Sequence, residues 1–117
     1  MVLAITLGAF AAHGLKAHLS PYYMDVYKTG TTYHAWHSIG LILIASFAQN
    51  QSQHSQAKPV SITMSAVFFI IGITLFSGSL YLLSTTQQTW LGMITPIGGL
   101  SFILGWLAFA WAIWRAQ

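Results

Sequence analysis

The residues of this chain best suited to chemistry are its histidines. Four of the five, His13, His18, His34 and His37, fall within residues 13–37, and Tyr33 stands one helical turn before His37. Imidazole is a ligand for zinc, copper and haem iron, and a pair spaced by three on a helix can hold one ion. Its charge also changes near neutral pH, which suits a proton relay. Geometry narrows the choice. His13 and His18 are five residues apart and diverge by about 140° on an unbroken helix of roughly 3.6 residues per turn, so they do not readily face one ion. Tyr33, His34 and His37 do share a wedge of one helix, and Asp25 is the single carboxylate that could orient an imidazole. A metal or haem site on His13, His34 and His37 is therefore an alternative. The favoured reading is a structural polar junction of His13, Tyr33 and His37, because a buried imidazole needs partners for both nitrogens. The rings would bond each other, the tyrosine hydroxyl or a freed backbone carbonyl. No cofactor is expected.

Other chemistries find less to work with. With no cysteine, disulfides, thiolate nucleophiles, Fe–S clusters and cysteine-type zinc sites are excluded. There is no pair of carboxylates, no Ser-His-Asp set beyond the lone Asp25, and no glycine-rich phosphate loop between strand and helix. The expectation is a protein that is not an enzyme. The pI near 9.5 arises from Lys16, Lys28, Lys58 and Arg115 set against that one acid. These cations are scattered, whereas nucleic acid requires clustered ones, so no nucleic-acid partner is expected. Proton-coupled transport usually needs an acid inside a span, and none is present. A relay through His37, or a cavity at the broken helix start Pro96-Ile97-Gly98-Gly99, keeps a small transporter or channel component as a second alternative.

The elements that must position these residues are helices in lipid. A chain of 117 residues that is 56% hydrophobic and 4% charged, with mean hydropathy +0.66, cannot cover a soluble sphere with polar groups. The clearest stretches for crossing are residues 60–83 and 91–114, the latter uncharged until Arg115. Residues 31–48 form a less uniformly apolar span. Residues 2–12 are short for a crossing, so a first helix is expected to extend to Leu19, giving a span over residues 2–19. Ala9-Phe10-Ala11 resembles a signal cleavage site, but no positive segment precedes it. Ser20-Pro21 reads as a cap and first helical residue. It opens a short interfacial helix whose face of Tyr22, Tyr23, Val26 and Tyr27 lies in the headgroup layer and which Gly30 ends. Residues 49–59, rich in Gln and Ser and including His54, read as a solvated connector.

Small residues predict how the spans pack. Gly98, Ser101, Gly105, Ala108 and Ala112 recur at steps of three and four, and Ser65, Gly72 and Ser79 recur every seven. Each set falls on one helix face, where close backbone approach drives association in lipid. Gly8, Pro96 and Gly99 are assigned to packing as well. Four spans place both termini on one side. The basic residues are evenly divided between the two sides, so the positive-inside rule gives only a weak preference for cytoplasmic termini.

Several motifs, taken in order, carry a resemblance. Gly8-Ala9-Phe10-Ala11-Ala12-His13-Gly14-Leu15, Tyr33 four residues before His37, Phe76-Ser77-Gly78-Ser79-Leu80-Tyr81, and Thr95-Pro96-Ile97-Gly98-Gly99 with Gly105-Trp106 resemble the YgdD-like family. These are small four-helix bacterial inner-membrane proteins with a domain of unknown function. The resemblance covers almost the whole chain and implies a four-helix membrane fold without an established activity. Of the four clustered histidines, only His13 and His37 fit its pattern. Family members usually carry a longer stretch before the Gly-Ala-Phe motif, which bears on the length of the first helix. The expected whole is an all-α integral membrane four-helix bundle in the bacterial inner membrane. Its expected role is that of a non-catalytic accessory, scaffold or membrane-integrity protein. It would pack in the lipid bilayer as a homo-oligomer or in a larger membrane complex.

Overall fold

A computed structural model describes residues 1–54 and 60–116, which form four helices and no strand among the described residues. They are α1 (Val2–Leu15), α2 (Pro21–His54), α3 (Val60–Thr86) and α4 (Thr89–Trp114). Helices α3 and α4 are each long and apolar enough to cross a membrane. The side-chain environment expected for His54, and residues 55–59 of the connector, lie outside what is described.

Helix α1 is the short one. Nine residues of α-helix are followed by five of π-helix, roughly 20 Å at 1.5 Å per residue, against about 30 Å of hydrocarbon. The chain then turns at residues 16–19 instead of continuing as helix to Leu19. Its inward residue Ala11 packs with Met24 and Tyr27 of α2.

Helix α2 overturns two expectations. Ser20 Oγ accepts the Tyr23 N–H at 3.4 Å and Pro21 opens the helix, but Gly30 does not end it. The interfacial piece is instead the first turns of one 34-residue helix, and residues 49–54 prolong that helix where a non-helical connector was expected. Packing explains the continuity. Gly30 is buried, and a Cβ there would stand 3.1 Å from the Tyr81 ring, so its role is to admit a neighbour. At about 51 Å, α2 matches the molecule's longest dimension of 52 Å.

Helix α3 changes phase partway. Ile62, Ser65, Phe69 and Gly72 form its buried face, and after the π turn Ile73–Ser77 the buried set becomes Ser77, Ser79, Leu80, Leu83 and Ser84. The turn inserts one extra residue, so the step from Gly72 to Ser77 is five. Beyond it, Ser79 Oγ meets Thr95 Oγ1 of α4 at 2.8 Å, while Leu80 and Tyr81 approach Gly30 of α2. The helix runs past the expected end at Leu83 to Thr86 and closes at Gln87 with φ 59°, whose N–H reaches the Leu83 carbonyl at 2.8 Å.

Helices α3 and α4 form a hairpin packed along its length. On α4, Gly98, Ser101, Gly105 and Ala112 are buried and Ala108 is half-buried. The helices exchange hydroxyl bonds: Ser65 Oγ donates to the Gly105 carbonyl at 2.8 Å, and Ser101 Oγ donates to the Phe68 carbonyl at 2.7 Å. A Cβ on Gly98 would run into the Phe76 backbone, and one on Gly105 into the Phe69 ring. Gly8, Pro96 and Gly99 do not pack in this way. A Cβ on Gly8 would meet nothing within 4 Å, one on Gly99 would make ordinary 3.7 Å contact, and Pro96 is exposed in the first turn of α4. The main core, Ile44, Ile62, Phe69, Phe102, Phe109 and Ala112, joins α2 to this hairpin.

Candidate functional site

His37 is 4% exposed and held on every side. Its Nδ1 lies 2.8 Å from the Tyr33 carbonyl, and its Nε2 lies 3.2 Å from Trp106 Nε1 of α4. A carbonyl only accepts and an indole N–H only donates. The geometry therefore assigns one tautomer, with the proton on Nδ1 and the Nε2 lone pair accepting from Trp106. Phe102 stacks on the ring with centroids 3.4 Å apart, and Phe69 meets its edge at 5.0 Å and 88°. A second proton on Nε2 would set two donors against each other, so this arrangement suits a neutral imidazole.

His34, 7% exposed, makes a parallel connection one face over. Its Nδ1 lies 3.2 Å from the Tyr81 hydroxyl of α3, and Tyr81 packs on Tyr27 at 4.9 Å between ring centroids. The two histidines thus tie α2 to both arms of the hairpin, His37 to α4 and His34 to α3.

The expected junction of His13, Tyr33 and His37 is brought together only in part. Tyr33 contributes its carbonyl and the face of its ring, 6.1 Å from His37, and not its hydroxyl. His13 is exposed on the π turn of α1. Nearby Ala11 packs beside Tyr27, which lies roughly 15 Å along α2 from His37 at 1.5 Å per residue. His18 is exposed as well, and among the described residues no three metal-ligating side chains of the His, Cys, Asp or Glu type lie together. The partners that sequence reasoning missed are Trp106, Tyr81, Phe69 and Phe102. The signal was present in Tyr81 and Trp106, each a polar-tipped aromatic inside an apolar run, since such tips need a hydrogen-bond partner when buried. Ser77 Oγ, inside the π turn, is buried with no partner.

Residues 7–99 of this helical chain match a described family, "Protein of unknown function (DUF423)". The chain belongs to the DUF423 family. The match takes in His34, His37 and Tyr81 and stops short of Trp106. Similar proteins include the UPF0382 membrane protein YwdK of Bacillus subtilis, 44% identical over 91% of this chain and 82% of the relative. The UPF0382 membrane protein SERP0230 of Staphylococcus epidermidis is 42% identical over 91% and 81%, and that of Haemophilus influenzae is 35% identical over 97% and 86%. The names matched are DUF423 and UPF0382 rather than YgdD-like. They place this DUF423 chain among membrane proteins and give no activity. No solved structure matches it.

Proposed function

We propose that this chain is a non-catalytic protein of the bacterial inner membrane, crossing it four times with both termini in the cytoplasm. It acts as an accessory or scaffold, packing with itself or a larger membrane complex or sustaining membrane integrity. The observation that carries the reading is the use of both His37 nitrogens inside the bundle. A catalytic or metal-binding imidazole needs a nitrogen to offer; His37 gives one to the Tyr33 carbonyl and the other to Trp106. Ser65 and Ser101 of the hairpin are likewise engaged with the facing helix. The outward face of α4, with Ile97, Leu100, Ile103 and Leu107 exposed, is left for lipid or a neighbouring helix. No cofactor and no nucleic acid enter this reading.

The test is purification in mild detergent after crosslinking in the membrane. Stoichiometric self-crosslinks or copurifying membrane subunits are the expected result. Stoichiometric zinc, copper or iron that depends on His34 and His37 would replace this reading with a metal-handling one. Substrate-driven proton flux in liposomes would replace it with transport.

A further inference from the structure

Between α1 and α2 lies a groove of about 240 Å³ that the bundle does not fill. Its floor is apolar and built of small residues: Gly8, Ala11 and Ala12 from α1, with Met24 from α2. The space at Gly8 is open, since a Cβ there would meet nothing within 4 Å. Lys16 and Lys28 line the same groove. We propose that it binds an anionic phospholipid, whose phosphate sits between Lys16 and Lys28 while a segment of acyl chain lies along Gly8, Ala11, Ala12 and Met24.

Three observations favour this occupant. The first is charge. The chain has four cations in all, and two of them converge on this one groove. Asp25 pairs with Lys28 at 3.5 Å, but both side chains are exposed, at 78% and 65%, so the pair is weak and leaves Lys28 able to turn to a phosphate. Lys16, Lys28 and Asp25 together carry one net positive charge, which a single phosphodiester neutralises. The second is shape. The apolar lining of Gly8, Ala11, Ala12 and Met24 runs beside the two lysines, which suits a lipid tail rather than a free inorganic anion. The third is depth. Helix α1 is about 10 Å shorter than the hydrocarbon layer, and a bilayer adapts to a short helix by thinning, bringing headgroups toward the point where α1 ends. Lys16, just past that point, and Lys28, two turns into α2, can extend their stems to meet them. The inference rests on the membrane location of the family and not on the scaffold role.

The experiment uses the full chain in neutral detergent micelles doped with either dioleoyl phosphatidylglycerol or dioleoyl phosphatidylcholine, read by thermal melting and by native mass spectrometry. Phosphatidylglycerol is expected to raise the melting temperature and remain bound at one molecule per chain, while phosphatidylcholine does neither. The double variant Lys16→Gln with Lys28→Gln should lose the shift and the bound lipid. Gly8→Leu, which keeps both lysines and fills the groove, should lose them too while melting normally in plain micelles. Arg115→Gln, remote in sequence, should retain both. Equal effects of the two lipids, or an equal loss in Arg115→Gln, would overturn the proposal. So would millimolar inorganic phosphate reproducing the shift, which would mean a site for the anion alone, or persistence of the bound lipid in both groove variants.

Discussion

His37 and Trp106 form a pair whose energy can be measured, because each satisfies the other inside an apolar layer. Replacing either by Phe strands one polar atom and should cost about 1–3 kcal/mol. Replacing both should cost less than the sum, with a coupling of about 0.6 to 1.7 kcal/mol as for other hydrogen bonds within membranes. Unfolding in mixed micelles is the measurement, and strictly additive losses would show that the 3.2 Å contact contributes nothing. The other histidines divide by position. From the sequence, His18 and His34 both lay outside the pattern of the resembling family and were alike in type, yet His34 is 7% exposed and bonded to Tyr81, while His18 is exposed. His34→Ala should therefore lower stability, and His18→Ala and His13→Ala should each leave it within about 0.5 kcal/mol. The sequence distinguished His37 through Tyr33 one turn away. It favoured His13 over His34 for the junction, whereas His34 is the one bonded to a facing helix and His13 is exposed, because a histidine's partner is fixed by which helix lies opposite, and that is not a local property of the chain.

Glycines make the same point for whole helices. The steps of three and four along α4 are visible in the sequence and coincide with its buried face, since a 3.6-residue repeat alone decides which residues share a side. What each glycine meets is a matter of the neighbour. Gly98 lies against the Phe76 backbone, which cannot withdraw, whereas a Cβ on Gly99 would meet the Phe76 ring at an ordinary 3.7 Å. Gly98→Ala is expected to destabilise the hairpin by about 1–3 kcal/mol, as overpacking does in other cores, while Gly99→Ala should be tolerated. Comparable melting of the two variants would count against the hairpin geometry. Gly30 misled the sequence reading for a related reason. A glycine after a polar run resembles a helix end, and only the Tyr81 ring of α3, 51 positions away in the chain, reveals it as a seat for a side chain within an unbroken helix.

For the molecule as a whole, the length of α2 gives the most direct test of topology. Tyr22 and Ser52 are both exposed on α2 and stand roughly 45 Å apart along the helix, about the full thickness of a bilayer with its headgroups. Single cysteines placed there, Tyr22→Cys and Ser52→Cys, should react with an impermeant reagent from opposite faces of sealed vesicles. Reaction from the same face would mean that α2 lies along the membrane instead of crossing it. How α2 and the hairpin join depends in turn on the π turn Ile73–Ser77. Below it α3 shares the Phe69 core, and above it the same helix offers Tyr81 to His34. Removing one residue from that turn, for example by deleting Leu75, would let the segment wind as ordinary α-helix, and the step between the buried Gly72 and Ser77 would fall from five to four with both still on one face, so the two halves of α3 would keep their relative rotation. The deletion should leave both the Tyr81 segment and the Ser65–Gly105 contact protected, as hydrogen exchange along the two halves of α3 would show, and loss of protection at Tyr81 alone would count against this account of the turn. The widened turn thus works as a local slack that takes up one surplus residue, so that each half of α3 still addresses its own partner.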